Sequence, residues 1–266
     1  MIYSGNLFKM STENSETVKY TLNLGENIIL MNDFIGKKIK FKYNGVINCI
    51  HCGRKTKTSF SQGFCYPCFT TVPEADPAII RPELDMAHEG IARDMEWAKT
   101  HSLVNHYVYL AFSSNVKVGV TRCTQVPTRW IDQGAAKAII LAQTPHRNLA
   151  GQIEVAMKEL FADKTNWRKM LSNISCEDDI LLNAKDEALE NFPAEFEEYY
   201  SDDDTITEIN YPVEKYPEKI KSINLDKLPE FEKTLVGIKG QYLIFDDNHV
   251  MNIRKHNGYF VEIELW

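Results

Sequence analysis

Two pairs of closely spaced cysteines constrain the fold of this chain more than any other feature. Cys49 and Cys52 form the first Cys-x2-Cys pair, and Cys65 and Cys68 form the second after twelve intervening residues. Each pair allows a tight turn to direct two sulfurs at one point, and the intervening segment is long enough for a hairpin. The spacing therefore predicts a zinc ribbon at residues 46–72, in which these four cysteines hold a structural Zn²⁺ ion.

Two disulfides, or four thiols without a ligand, are the alternatives to a zinc site, and the compartment decides between them. The N-terminus from Met1 to Asn6 lacks the basic region and apolar core of a signal peptide. No uncharged apolar run in the sequence approaches the roughly 20 residues of a membrane span. We therefore expect a cytoplasmic protein without membrane insertion, whose reduced thiols are available to bind metal.

The formal net charge of −7 conceals a strong asymmetry along the chain. Residues 36–71 contain seven basic residues and no acidic one, and residues 106–175 contain nine basic and four acidic residues, a net charge of +5. These two regions predict contacts with a polyanion such as RNA or DNA. Residues 176–210 contain thirteen acidic residues and one basic residue. This acidic segment is interpreted either as a solvated surface or spacer, or as a mimic of nucleic-acid charge that docks on the protein's own basic surface.

Hydrophobic periodicity predicts an α+β fold and divides the chain into segments. The two terminal segments alternate with period two, and we expect them to pair into one small barrel or sandwich. In the middle, the pattern predicts helices over 83–99, from Pro127 to about residue 138, and over 149–171. The predicted segments are an N-terminal β segment at 1–45, the zinc ribbon at 46–72, a linker and helix at 73–104, a β-β-α-β-α unit at 105–175, an acidic helical segment at 176–210 and a C-terminal β segment at 211–266.

The central unit contains chemically suggestive residues in a recognisable order. Its first two predicted strands contain Tyr107-Val108-Tyr109 and Lys117-Val118-Gly119, and Arg129 and Glu154 follow on predicted helices. This order resembles the GIY-YIG nucleases, in which two motif-bearing strands precede an arginine on the first helix and a glutamate on a later one. The first glycine of the family's pattern is absent here, and Lys117 replaces the tyrosine of the second motif.

The resemblance implies a role for each matching residue. Tyr109 would be the base and Lys117 its assistant, while Arg129 would bind the scissile phosphate. Glu154 would be the only carboxylate ligand of a catalytic Mg²⁺ ion, which such a site holds together with substrate phosphate. Phosphodiester cleavage needs this combination of charge neutralisation, metal and base. The alternative for Tyr109 is a packed aromatic residue, and the alternative for Glu154 is an ion pair with Lys158.

Further residues of the basic regions are candidates for nucleic-acid contacts. Arg147 and Gly151 share a predicted helix face with Glu154, and Gly151 would leave space for a phosphate or a metal. Trp130 could stack on a base, with a core position as the alternative. The predicted nucleic-acid-binding residues are Arg122, Trp130, Arg147, Lys55 and Lys57.

Over nearly its full length, the chain also resembles an uncharacterised bacterial family that is classed only as a domain of unknown function. The cysteine module and strings such as 117–122, 129–135, 163–167 and 237–243 carry this resemblance. It implies kinship rather than an activity. Three functions stay open: a nucleic-acid-binding protein, a Mg²⁺-dependent endonuclease, and a non-catalytic scaffold recruited by a protein partner to a larger cytoplasmic assembly.

Overall fold

The computed structural model shows a mixed α+β protein that is rich in strands and has several sheets, as predicted. It describes residues 1–162, 164–172, 174, 177 and 179–266. Asp163, which counts towards the charge of the central unit, and Cys176 and Asp178, at the start of the acidic segment, lie outside the described residues. The strands are β1 Ile2–Asn6, β2 Ser11–Glu13, β3 Lys19–Leu24, β4 Asn27–Leu30, β5 Lys38–Asn48, β6 Lys55–Thr56, β7 His106–Phe112, β8 Val116–Arg122, β9 Lys137–Thr144, β10 Thr207–Glu208, β11 Lys221–Ile223, β12 Glu230–Lys239, β13 Tyr242–Phe245, β14 His249–Asn252 and β15 Tyr259–Leu265.

The helices are short, and among the described residues none is both long enough and apolar enough to span a membrane. The α-helices are α1 Tyr66–Thr71, α2 Met95–His101, α3 Thr128–Asp132, α4 Arg147–Met157, α5 Trp167–Met170 and α6 Ile180–Glu190. Single 3₁₀ turns occur at Met31–Phe34, Pro73–Ala75, Pro77–Ile79, Pro82–Leu84, Ala87–Glu89, Cys123–Gln125, Ala194–Tyr199 and Arg254–His256.

The chain forms two compact units, and unit 1 combines its two ends, residues 1–70 and 210–266. Its larger sheet has the strand order β1-β15-β5-β12-β13-β14-β11, with β6 also paired to β5, and β2, β3 and β4 form a second sheet. Side chains alternate between the two faces of β5, and those of Ile39 and Phe41 are fully buried. The predicted pairing of the terminal segments is therefore present, while their closure into a barrel or sandwich stays a prediction.

The lysines of β5 face glutamates on the neighbouring strands. Lys38 is 3.1 Å from a carboxylate oxygen of Glu232, and Lys40 is 2.8 Å from one of Glu230. Lys42 lies opposite Glu230 on β12 and opposite Glu262 on β15. The expectation that the whole stretch 36–71 presents unbalanced positive charge is therefore wrong for β5, because acidic residues distant in sequence pair across the sheet.

Unit 2 comprises residues 71–209 and contains a sheet with the order β10-β9-β7-β8. Its elements follow the predicted order, since β7, β8, α3, β9 and α4 succeed one another along the chain. The core of the unit lies on one side of this sheet, where buried residues of the three long strands pack against α4 and α6. The opposite side of β7 and β8 carries Tyr109, Lys117 and Gly119, because side chains alternate along a strand.

The acidic segment is part of unit 2. On α6, Leu181, Ala184 and Ala188 are buried in the core, and β10 adds a strand to the edge of the sheet beside β9. Lys185 is the segment's one basic residue; it is buried and donates hydrogen bonds to the Asp203 carbonyl at 2.7 Å and to Asp204 Oδ1 at 2.9 Å. The segment is therefore not a spacer, because the apolar face of α6 completes the core, whereas its described acidic side chains are exposed, as expected of a solvated surface.

Three predicted helices are much shorter in the structure. The helix predicted from Pro127 to about residue 138 is α3, which ends at Asp132 because Gly134 takes a left-handed φ of 70°, and β9 begins at Lys137. The region 83–99 contains two 3₁₀ turns and only then α2, because Gly90 takes a left-handed φ of 82° and Asp94 caps the new helix at Trp97 N–H. The helix predicted over 149–171 ends at Met157. Residue Ala162 then pairs with Lys117 at the edge of β8, so this part of the chain runs beside a strand instead of extending the helix.

Candidate functional site

The four predicted cysteine ligands converge in unit 1. Their sulfur atoms all lie within 4.8 Å of one another, and the sulfurs of Cys52 and Cys65 are 3.7 Å apart. Four sulfurs at about 2.3 Å from a central Zn²⁺ ion form a tetrahedron with edges of about 3.8 Å. A disulfide would require a separation of about 2.05 Å, and all four cysteines are free. The donor set therefore fits a tetrahedral zinc ion.

Local structure explains how the sulfurs meet. Cys49 directly follows β5, and its carbonyl accepts a hydrogen bond from Gly53 N–H at 2.9 Å, which closes the first turn. A second turn joins the bridged pair Phe60 and Phe64 and places Gly63 against Ile50. A Cβ atom at Gly63 would lie 2.7 Å from the Ile50 side chain, so only glycine allows this approach.

The ribbon shifts the pKa values of two of its cysteines in opposite directions: burial and hydrogen bonds with the other three sulfurs raise that of Cys68 to about 12, whereas that of Cys49 is lowered. Burial alone would raise the pKa of Cys49, but backbone N–H groups of Cys52, Cys65 and His51 stabilise its thiolate and lower its pKa to about 6. Since the thiolate is the form that ligates zinc, this environment suits a metal ligand. The first three of the ribbon's sulfurs in chain order thus come from two turns, and the fourth comes from α1.

The candidate catalytic residues converge in unit 2 around Gln133. Its side-chain carbonyl accepts hydrogen bonds from the Tyr109 hydroxyl at 3.0 Å and from the Lys117 ammonium. Burial raises the pKa of Tyr109 most, the charge of Glu154 raises it further, and the nearby Arg129 guanidinium lowers it. The structure thus brings Tyr109, Lys117, Arg129 and Glu154 together from β7, β8, α3 and α4; with Gln133 they are called the polar cluster below.

Most of the polar cluster is shielded from solvent. Tyr109 is fully buried and Lys117 is 3% exposed, whereas Arg129 is half-buried. Tyr109 is also a hydrogen-bond donor with a raised pKa, and these properties disfavour its predicted role as a base. Gln133 is also half-buried, and of the two cations in the polar cluster it is Arg129, rather than Lys117, that has access to a ligand.

Glu154 is 8% exposed, and its Oε2 atom lies 3.3 Å from the Lys158 ammonium, the alternative expected from the sequence. Mg²⁺ prefers several oxygen ligands. Of the four predicted catalytic residues only Glu154 is a carboxylate, and it already faces a cation. This donor set does not fit a Mg²⁺ site formed by the protein alone.

Several predicted contact residues have structural roles. Trp130 is 2% exposed and packs edge-on against Tyr109, with ring centroids 5.8 Å apart, so the core alternative is correct. Arg147 donates to the carbonyls of Ala78 at 3.2 Å and Ile79 at 2.8 Å, which anchors that segment to α4. A Cβ atom at Gly151 would lie 2.3 Å from the backbone nitrogen of Glu83. Backbone therefore fills the space that was predicted for a phosphate or a metal.

The remaining predicted contacts differ in exposure. Arg122 is half-buried, and burial lowers its pKa. Its positive charge and that of Arg129 add to burial in lowering the pKa of Arg147. These arginines thus lie near one another in unit 2. In unit 1, Lys55 and Lys57 are exposed on the ribbon.

Two features of unit 2 were missed by sequence reasoning about sites. Gln133 belongs to the string 129–135, and its link between Tyr109 and Lys117 depends on the packing of α3 against two strands. A cavity of about 380 Å³ lies among residues 73–102. The buried Asp85 carboxylate lines it and accepts a hydrogen bond from the Ser102 hydroxyl at 2.5 Å. Its walls are consecutive short turns, which have no periodic sequence signal.

With the fold and the cysteine cluster described, the chain can be placed among known families. It belongs to the family described as a protein of unknown function, DUF2797, which matches residues 36–261. The match includes all four cysteines and the whole of unit 2. No curated protein and no solved structure matches the chain. The predicted kinship is confirmed, and any function has to be argued from the chemistry of the sites.

Proposed function

We propose that this protein binds nucleic acid, with a structural Zn²⁺ ion in its ribbon and a GIY-YIG-like unit 2 whose Arg129 contacts a phosphate. The observation that carries the proposal is the convergence of Tyr109, Lys117, Arg129 and Glu154 from four separate elements. Their order resembles that of a phosphodiester-binding site, and their side chains meet in the folded unit.

The charges around Arg129 support a phosphate ligand. Arg122 and Arg129 both act electrostatically on Arg147, and Lys117 lies in the same cluster through Gln133. Glu154 compensates part of this charge and is itself paired with Lys158. A concentration of cations in which the guanidinium groups of Arg122 and Arg129 are partly accessible attracts a polyanion, and Arg129 offers it a bidentate contact.

The buried part of the polar cluster positions Arg129. Gln133 follows α3, the helix that carries Arg129, and its bonds to Tyr109 and Lys117 fix the end of that helix against β7 and β8. In this mechanism Tyr109 and Lys117 orient the arginine, and they do not themselves contact the nucleic acid. Arg129 binds the phosphate oxygens.

Binding assays test the proposal directly. Arg129→Ala should weaken binding to a labelled RNA or DNA pool at low salt by about tenfold. In a plot of log affinity against log salt concentration, the same change should reduce the slope by about one. Lys38→Ala is the control, because it also removes one positive charge, but from a lysine that is already paired with Glu232. This variant should bind like the wild type. The proposal fails if the wild-type protein binds no nucleic acid at low ionic strength, or if the two variants behave alike.

Phosphodiester cleavage is the second candidate function, and the position of Glu154 beside Tyr109 and Arg129 favours it. Labelled RNA and DNA incubated with the purified protein, with and without Mg²⁺, should be cut only by a protein with intact Glu154. Cleavage that persists in Glu154→Gln would show that the assignment is wrong or that a contaminating nuclease is present. Binding without cleavage would support nucleic-acid binding and exclude phosphodiester cleavage.

A further inference from the structure

The zinc ribbon carries an exposed aromatic side chain next to a basic turn. Tyr66, the first residue of α1, is 61% exposed, although tyrosine rings are usually at least half-buried. It directly follows Cys65, whose sulfur is 3.7 Å from that of Cys52. Arg54 and Lys55 follow Cys52 by two and three residues, within about 7 to 11 Å of chain. The metal site therefore brings the aromatic and basic groups into one neighbourhood.

Two other aromatic rings support Tyr66. Phe60 packs edge-on against Tyr66 with centroids 5.5 Å apart, and it stacks on Phe69 with centroids 5.7 Å apart and an interplanar angle of 23°. Phe60 and Phe69 are half-buried, so they form the base of a small aromatic group from which Tyr66 projects. A ring held in place on one side and open to solvent on the other loses little conformational entropy when a second planar group stacks on it.

The charge of the ribbon complements a polyanion. Residues 36–71 contain no acidic residue, and the lysines of β5 are already balanced by glutamates of β12 and β15. Arg54, Lys55 and Lys57 differ, because they are exposed and form no ion pair with any acidic residue in the described part of the chain. Within the ribbon, Arg54 and Lys55 follow Cys52 directly after Gly53, and the sulfur of Cys52 meets that of Cys65, the residue before Tyr66.

We propose that the ribbon binds single-stranded nucleic acid, with one base stacked on Tyr66 and the adjoining phosphates at Lys55 and Lys57. This inference rests on the proposed function and names its substrate class. Bases in a duplex have their faces covered by their neighbours, whereas a single strand can offer a free face to an aromatic side chain. Stacking with flanking cations is tolerant of sequence, so the ribbon distinguishes strandedness rather than base identity.

A substitution series on the zinc-loaded full chain tests the stacking contact. Fluorescence anisotropy would compare a single-stranded RNA of about twelve nucleotides, within the usual site size for such surfaces, with a hairpin whose stem is fully paired. Tyr66→Leu should weaken single-strand binding at least about fivefold, because the stacking platform is lost. Tyr66→Phe keeps the ring and should bind within about twofold of the wild type. Neither change should alter duplex binding.

Two further measurements separate stacking from general damage. Zinc content should stay at the wild-type level in both variants, which shows that the ribbon is folded. In the unmodified protein, a single strand that contains 5-iodouracil should cross-link on irradiation to the peptide containing Tyr66. A cross-link confined to other peptides would overturn the proposal, even if Tyr66→Leu does not fold.

The outcomes distinguish this inference from the proposed function. If Arg129→Ala weakens binding while Tyr66→Leu binds single strands like the wild type, the ribbon does not stack on a base and only the inference fails. Equal losses on single strand and hairpin would also overturn it, because they would indicate a general electrostatic or folding effect. If the wild-type protein binds neither ligand at low salt, both proposals fail.

Discussion

Gly119 on β8 lies directly opposite Tyr109 on β7, and the two residues fit only because one of them has no side chain. A Cβ atom at Gly119 would lie 2.7 Å from the Tyr109 hydroxyl oxygen and 2.8 Å from the carbon that bears it. The tyrosine ring cannot move away easily, since it is fully buried and its hydroxyl is bonded to Gln133. The glycine of the second motif therefore creates the space that the polar cluster needs.

Gly119→Ala should destabilise the protein by about 1–3 kcal/mol, because the added methyl group overpacks a rigid site. Removal of the nearest clashing atom by Tyr109→Phe should recover part of this loss, so the double variant should be more stable than the sum of the single changes predicts. Unfolding in urea measures the free energy of unfolding of the wild type, the two single variants and the double variant. A Gly119→Ala protein as stable as the wild type would contradict the tight packing of this pair.

At the scale of elements, α6 shows how an acidic stretch can be structural. The helix presents Leu181, Ala184 and Ala188 to the core, while Lys185 reaches back to Asp203 and Asp204. Lys185 is only 2% exposed, and its ammonium also lies 5.5 Å from the centre of the Tyr200 ring. One buried cation thus ties the helix to the chain that follows it, and the surrounding acidic residues make that cation tolerable in a buried position.

Lys185→Met should therefore destabilise the protein by about 1–3 kcal/mol, since it leaves the Asp203 carbonyl without its donor and keeps the volume of the side chain. Lys99→Met is a matched control. Lys99 is also paired with a carboxylate, that of Glu96, but the two side chains are 59% and 82% exposed. Its replacement should change stability by less than about 0.5 kcal/mol. Thermal and urea unfolding would compare the two variants; equal effects would show that Lys185 does not anchor α6.

The comparison of elements shows where sequence patterns were informative. The alternation of β5 predicts the strand and its buried face, and the predicted strands of the central unit are β7, β8 and β9. The glutamates that pair with Lys38 and Lys40 lie about 190 residues further along the chain, so local patterns could not indicate them. The 83–99 region has helical apolar spacing, but prolines before it and Gly90 within it favour separate turns.

For the candidate sites too, local sequence patterns were informative, whereas contacts between distant parts of the chain were not indicated by them. The cysteine spacing predicts the sulfur cluster because each Cys-x2-Cys pair is a local unit, the first at the turn after β5 and the second at the start of α1. The order of the motif residues predicts that Tyr109, Lys117, Arg129 and Glu154 meet. The burial of Tyr109 and Lys117 was not predictable, since it depends on Trp130 and Gln133 packing against the sheet. Gly151 was misassigned for a related reason, because its contact with the backbone at Glu83 joins segments that are distant in sequence.

At the scale of the molecule, the zinc ribbon extends from the main sheet of unit 1. β5 pairs with β15 and β12 from the C-terminal part of the chain, and Cys49 follows its last residue, Asn48. The ribbon has few apolar side chains of its own, Ile50, Phe60, Phe64 and Phe69 among them, so we expect a bound metal ion to supply much of its stability. Unit 2 has its own buried core, to which none of the four cysteines belongs.

Zinc removal should therefore affect the ribbon and leave the core of unit 2 folded. The native protein should contain one zinc ion per chain by native mass spectrometry, and a chelator or acidification should release it, because protons compete with zinc for the thiolates. Hydrogen exchange should then accelerate over residues 49–70, while β7, β8 and β9 keep their protection.

Single cysteine replacements test whether the four clustered cysteines are the zinc ligands. Cys49→Ser should lose zinc and the protection of the ribbon, whereas Cys123→Ser, which changes a half-buried cysteine outside the cluster, should keep both. Since the sulfurs of Cys52 and Cys65 already lie at the edge length of a zinc–thiolate tetrahedron, loss of one ligand leaves the remaining three with an incomplete coordination shell. A native protein without zinc, or a Cys49→Ser variant that retains a full equivalent, would contradict a four-cysteine metal centre.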